Sequence, residues 1–335
     1  MGLSNVDQQS KLIAYISNVV RSPVSLSGLK KLSGGAIQEN WALDVYVETG
    51  DLAGHHEWVL RQDATSQVEA SGGRAEEYQL LKVAKASGVE VPMTINLCED
   101  KAILGQPFFL MHRLKGTAAG HVLTKGGEKL KLVRSLAQNL ARIHSIDPIE
   151  QELLFLGEAP SNPALHSVTQ YRSYLDAINA KQPAIEFGLA WLQENAPEPN
   201  RVTLCHRDYR TGNFMVNGGD LTGILDWEFS GWSDPMEDVG WICAKCWRFR
   251  GKDKEVGGLG PRQVFYKAYE QLSGHSINPE EIKYWEVMAH VRWATIACQQ
   301  AARHYLGEEL SLELALTGYL VPELEYEILK MTGKS

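Results

Sequence analysis

Asp208, Asn213 and Asp226 are the residues whose types and spacing point most directly to chemistry. They lie in the stretch His206-Arg207-Asp208-Tyr209-Arg210-Thr211-Gly212-Asn213, followed thirteen residues after Asn213 by Asp226-Trp227-Glu228. A lone carboxylate can receive the proton of a hydroxyl. An amide oxygen and a second carboxylate can hold one hard cation such as magnesium. Phosphoryl transfer from a nucleotide needs that set, because its loose transition state is stabilised chiefly by positioning and charge. Asp208 is therefore the expected base, and Asn213 and Asp226 are the expected metal residues. Glu228 stands open between a third metal ligand, a water-mediated one and a structural partner.

These groups need elements that bring them together. Leu204-Cys205 reads as the end of a buried strand. The apolar runs 213–216 and 221–225 flank Asn217-Gly218-Gly219-Asp220, a strong hairpin signal because these residues adopt positive φ at little cost. Such a hairpin is expected to return Asp226 to the end where Asn213 sits. Asp208, in the loop entering that end, is then within reach of a substrate hydroxyl. His206 is expected to orient the loop by hydrogen bonding. A cysteine hydrolase built on Cys205-His206 fails on geometry, since adjacent strand residues face opposite ways.

His-Arg-Asp, then Asn, then a hairpin and an Asp resembles the catalytic and metal-binding loops of protein kinases. The continuation Leu225-Asp226-Trp227-Glu228 and Gly231-Trp232-Ser233-Asp234-Pro235-Met236-Glu237-Asp238-Val239-Gly240-Trp241 is more similar to the aminoglycoside phosphotransferase family. That family comprises small-molecule kinases with a protein-kinase-like fold. Cys246-Trp247-Arg248-Phe249 and Tyr284-Trp285-Glu286-Val287 resemble its broad subgroup of phosphotransferases. The resemblance implies an α+β, two-lobed chain. A small β-rich nucleotide-binding lobe would span residues 1–113, and a larger, mainly α-helical lobe residues 114–335. It implies an ATP- and Mg²⁺-dependent kinase acting on a hydroxyl of a small molecule.

Residue by residue, the resemblance assigns Ser33, Gly34, Gly35, Ala36 and Asn40 to the loop over the nucleotide phosphates. Glycines there let the backbone N–H groups approach an anion. Arg61 stands where the family carries a lysine for the α- and β-phosphates. It keeps the charge but presents a planar fork rather than a point charge. Its carboxylate partner is Glu76 or Glu77; Glu77 is favoured because Leu80, Leu81 and Ala84 share its face. Met111 and Arg113 fall in the hinge that would meet the adenine. Trp232, Asp234, Arg248, Glu286 and Arg292 are the candidates for the acceptor side.

Arg207 departs from the family's glycine. Asp234-Pro235 follows Asp226 too closely for the phosphorylated activation segment that such an arginine pairs with in protein kinases. Arg207 is left between ion pairing and substrate contact. That short spacing, and the lack of an Ala-Pro-Glu anchor, count against a protein kinase. A non-catalytic nucleotide-binding regulator is the rival from another class, supported by the arginine at position 61.

Composition agrees with a soluble enzyme. The chain has 335 residues, 44% hydrophobic and 22% charged, enough for a large core. A net charge of −8 argues against nucleic acid or an anionic membrane as partner. No apolar run approaches the ~20 residues of a membrane span. Five cysteines without framework spacing suit a reducing cytoplasm, and Cys243 and Cys246 are expected in the core rather than on zinc. Helical patterns cover residues 10–20, 74–87, 129–144, 170–179, 187–195, 239–247, 261–272, 279–302 and 310–331. Strands are expected at 41–48, 58–61, 103–104 and 107–111.

Overall fold

The computed structural model describes residues 3, 5–32, 38–63 and 73–333. It divides into two compact units. One comprises Met1–Gly116 and Thr222–Phe229, the other Thr117–Leu221 and Ser230–Ser335. The chain thus returns to the first unit for eight residues, and those residues carry Asp226 and Glu228.

The first unit contains α1 (Val6–Val20), β1 (Val24–Lys31), β2 (Gln38–Val47), β3 (Gly54–Asp63), α2 (Arg74–Ala86), β4 (Thr94–Cys98), α3 (Lys101–Leu104) and β5 (Phe108–His112). The strands form one sheet in the order β1-β2-β3-β5-β4, every neighbour antiparallel. Strand alternation sorts its two faces. Leu12 and Ile16 of α1 share a buried cluster with Leu43, Val45, Trp58, Leu60, Phe108 and Leu110. Arg61, next to Leu60, faces the other way and meets α2 through Glu77.

Two expectations need correction. Ile103-Leu104 is not a strand but part of the helical turn α3. Asp100 starts that turn by accepting a hydrogen bond from the Ala102 amide at 2.9 Å, and Gly105 ends it at φ 87°. The strand beside β5 is β4, formed by the less apolar segment Thr94–Cys98. The second correction is the helix expected over 310–331, which breaks into α11, a tight turn and α12, described below.

The second unit begins with α4 (Gly120–Leu123), α5 (Leu130–Ile143), α6 (Pro163–Ala177) and α7 (Pro183–Glu194). Short strands follow: β6 (Thr203–Cys205), β7 (Phe214–Asn217), β8 (Asp220–Ile224), whose last three residues belong to the first unit's returning segment, and β9 (Gly231–Ser233). β6 pairs antiparallel with β9, and β7 with β8. The β7–β8 turn uses Gly218 and Gly219 at φ 59° and 95°, the conformation that their lack of a Cβ permits. The unit closes with α8 (Met236–Cys243), α9 (Arg262–Ser273), α10 (Pro279–Tyr305), α11 (Leu312–Thr317) and α12 (Val321–Met331). Pro322 explains the break before α12, because it lacks the N–H that a continuous helix would donate to Gly318.

Helix α10 is the spine of this unit, with Trp285, Met288, Ala289, Val291, Ala294 and Ala297 buried along it. Cys243 is buried, Cys246 partly so, and neither is in a disulfide. No helix among the described residues is long and apolar enough to cross a membrane. α8 approaches α10 at Gly240. A Cβ there would lie 2.5 Å from the Trp285 Cβ and 2.7 Å from its carbonyl carbon. Gly240→Ala must push the two backbones apart, so it is expected to destabilise the protein by about 1–3 kcal/mol. Thermal unfolding by circular dichroism checks this, and an unchanged midpoint would contradict the close packing.

Candidate functional site

The loop carrying Asp208 leaves β6 and is fastened at both ends. At its start, the His206 and Arg207 amides donate to Asp238 Oδ2 and Oδ1, each at 2.7 Å. Asp238 is completely buried on α8 and also meets His144 Nε2 at 3.2 Å. Burial alone would raise the Asp238 pKa. The hydrogen bond from His144, with that from the His206 amide, brings it below the usual value, so it stays ionised. Further along, the Tyr209 hydroxyl donates to the Leu136 carbonyl at 2.8 Å, and the Thr211 hydroxyl to the Gly257 carbonyl at 2.7 Å.

Within this frame Asp208 is 7% exposed and three donors fix its carboxylate. Oδ1 accepts from Arg210 Nε at 2.9 Å and from Trp241 Nε1 at 3.0 Å. Oδ2 accepts from Asn213 Nδ2 at 2.6 Å, and the same nitrogen donates to the Asp208 carbonyl at 2.9 Å. The amide nitrogen of Asn213 is thereby spent on the loop, leaving its Oδ1 as the group for a cation. Arg210 also lies over the Trp247 ring, 4.6 Å from its centroid.

Arg207 has φ 58°, a left-handed backbone that costs a side-chain-bearing residue roughly 1–2 kcal/mol. That conformation gives a physical reason for glycine in the related pattern. Here its Nε pairs with Glu237 Oε1 at 3.2 Å, and its carbonyl accepts from Arg292 Nη1. Arg207 is thus an ion-pairing residue in this structure.

Arg61, on β3 in the first unit, is 7% exposed and spreads its fork over three partners. Nε meets Glu77 Oε2 at 2.8 Å, Nη2 meets Asp226 Oδ1 at 2.6 Å, and Nη1 meets Asn40 Oδ1 at 3.5 Å. Burial alone would lower its pKa, but the carboxylates of Glu77 and Asp226 raise it overall. Glu76, the other candidate partner, instead accepts from the Gly73 amide at the start of α2. Asp226 has φ 69°. Two residues on, Glu228 is 8% exposed; burial and then the Asp226 charge push its pKa up to about 8, against the pull of Arg61 and Arg74.

Arg113 pairs with Asp44 at 2.6 Å and with Glu57, while Met111 lies buried in β5 opposite Val59 and Thr94. Ser33, Gly34, Gly35 and Ala36 lie outside the described residues.

On the acceptor side, the donors and acceptors of the candidates are largely committed within the unit. Trp232 Nε1 donates to the Gly157 carbonyl at 3.1 Å. Arg292 binds Glu237 at 3.4 Å and stacks on Trp241 at 4.5 Å. Glu286 accepts from Arg262 at 3.2 and 3.3 Å, with Arg248 at 3.8 Å. Asp234 Oδ1 accepts from the amide of Met236, the first residue of α8, at 2.8 Å.

Three participants were absent from the expected set: Arg210, Trp241 and Arg74. Arg74 carried a signal. An arginine in the first turn of a helix opposes the macrodipole, so a buried one needs carboxylates around it.

A family model described as the phosphotransferase enzyme family matches residues 28–275. Acyl-CoA dehydrogenase family member 10 of Mus musculus is 31% identical over 226 residues, 63% of this chain and 21% of that one. The chain therefore spans about a fifth of that relative's length. The 4-hydroxytryptamine kinase of Psilocybe cubensis is 24% identical over 308 residues, 80% of each chain. Among solved structures, a candidate aminoglycoside phosphotransferase from Ralstonia eutropha matches with a TM-score of 0.75 and 20% identity, over 97% of this chain and 98% of that one. The fold is the protein-kinase-like one.

Asp234 gives a pH prediction. Burial, partly offset by the hydrogen bond from the Met236 amide, raises its pKa from 3.8 to about 7. Between those values the folded protein holds a proton that the unfolded chain has released, so stability falls as pH rises through that window. Asp234→Asn keeps an acceptor for Met236 and removes the titration. Its melting temperature is expected to fall less than that of the wild type between pH 5 and 8, as followed by circular dichroism. Parallel pH profiles would contradict the assignment.

Proposed function

The chain belongs to the phosphotransferase enzyme family, and on that premise we propose that it transfers the γ-phosphoryl group of ATP to a hydroxyl of a small molecule, with Mg²⁺ as cofactor. The observation that carries this reading is the carboxylate of Asp208, buried and held by Arg210, Trp241 and Asn213. Asp208 receives the proton of the acceptor hydroxyl. The acceptor oxygen bonds to the γ-phosphorus, the bond to the β-phosphate oxygen breaks, and ADP leaves.

Asn213 and Asp226 would hold the metal, with Glu228 as a further oxygen donor. The donors suit it: an amide oxygen and carboxylates are hard ligands. Magnesium, when bound, neutralises charge on the β- and γ-phosphates. Arg61 would supply the fixed positive charge for the phosphates, Ser33, Gly34, Gly35, Ala36 and Asn40 are the proposed phosphate-covering residues, and Met111 and Arg113 the proposed contacts to the base. The kinase relative of similar length and the aminoglycoside phosphotransferase fold support a hydroxyl of a small molecule as acceptor. Trp232, Asp234, Arg248, Glu286 and Arg292 stand as its candidate surroundings.

One observation favours a second reading. Arg61 bonds directly to Oδ1 of Asp226, a carboxylate proposed for the metal. In a nucleotide-binding regulator that pair would persist with nucleotide bound.

The test is ADP release over a panel of hydroxylated amines, sugars and antibiotics, with wild type and Asp208→Asn. The kinase reading expects turnover with at least one acceptor, reduced ~10²–10⁴-fold in the variant while ATP affinity is retained. Equal turnover in the two proteins would remove Asp208 as base. Nucleotide binding without ADP release on any acceptor would favour the regulator.

A further inference from the structure

Arg74 has no part in the mechanism above, yet it is a buried cation that meets several carboxylates of the first unit. It opens α2, directly after the cap residue Gly73, and is 2% exposed. At that position the helix dipole is unfavourable to a positive charge, and burial adds the cost of desolvation. Three carboxylates offset both. Nε meets Asp63 Oδ1 at 2.8 Å, Nη1 meets Glu77 Oε2, and Nη2 comes within 4.0 Å of Glu228 Oε2.

The oxygen of Glu77 that Arg74 binds is the same one that Arg61 Nε binds. Arg61 and Asp63 are two residues apart on β3 and so share a face of the strand. The contacts close a ring: β3 to Arg61, Glu77, Arg74, Asp63 and back to β3. The first turn of α2 is stapled to one strand at two points.

We propose that Arg74 is a positioning residue for nucleotide binding, holding Glu77, and through it the Arg61 fork, in the orientation that meets phosphate. The need follows from the substitution at position 61. An ammonium binds phosphate from many directions, whereas a guanidinium fork matches it in few. An arginine in this place therefore requires a fixed Glu77. The proposal rests on the nucleotide-binding reading of the first unit.

The experiment is calorimetric titration with MgADP of wild type, Arg74→Met, Arg74→Lys and Asp63→Asn, at a temperature well below unfolding of each. Arg74→Met is expected to weaken binding about tenfold, the loss of one charge-assisted bond in the ring. Arg74→Lys is expected to recover part of that loss, because it keeps the charge but cannot span Asp63 and Glu77 together. Asp63→Asn shifts affinity the same way by a smaller factor. A purely structural arginine would lower the melting temperature and leave the affinity of the folded variants within twofold of wild type; that result overturns the proposal. Should Arg74→Met fail to fold, Arg74→Lys and Asp63→Asn decide by the same criterion. If wild type binds neither MgADP nor MgGDP, the nucleotide-binding reading itself falls, and the proposal with it.

Discussion

Two consecutive backbone N–H groups, those of His206 and Arg207, end on one buried carboxylate, that of Asp238. A buried carboxylate is costly unless its oxygens are filled, and His144 completes the set. Much of the catalytic loop follows from that contact. It ties the exit of β6 to α8 and accompanies a left-handed turn at Arg207. Asp208 then sits where Trp241, from the same helix α8, can donate to it. One short helix thus supplies both the anchor of the loop and a donor to the Asp208 carboxylate.

The first unit solves a similar problem with guanidinium groups. A β-sheet presents alternate residues to opposite faces, so Leu60 enters the apolar cluster while Arg61 emerges toward α2. A bare arginine on a buried face would be unstable. Glu77 and Asp226 hold it charged, and Arg74 with Asp63 holds Glu77. The same network that stabilises the unit also places a positive charge against the carboxylate of Asp226. Buried pairs of this kind add little net stability, and their value lies in fixing geometry.

What the sequence made legible was local. Asp208 and Asn213 lie five residues apart, and both the hydrogen bonds between them and the hairpin turn at Gly218-Gly219 are matters of short-range geometry. The strand patterns at 41–48, 58–61 and 107–111 likewise match β2, β3 and β5, and the helical patterns at 129–144 and 279–302 match α5 and α10, whereas β4 carried no such pattern. What stayed hidden depended on distant partners or on a single breaker. Arg74 takes Asp63 from eleven residues upstream and reaches Glu228 from a returning segment. Trp241 meets Asp208 across thirty-three residues. The turn at Lys101–Leu104 was misread as strand because two apolar residues carry no period, and its determinants were the cap Asp100 and the stop Gly105. Pro322 gave a readable break that the apolar pattern around it concealed.

A kinase of this kind must bind a nucleotide through a magnesium-dependent site. Calorimetric titration of the wild-type protein with ATP, with and without Mg²⁺ and with GTP as control, tests that most directly. Saturable binding of at least one nucleotide, strengthened when Mg²⁺ is present, is the expected result. Absence of binding for both nucleotides in either condition would contradict it.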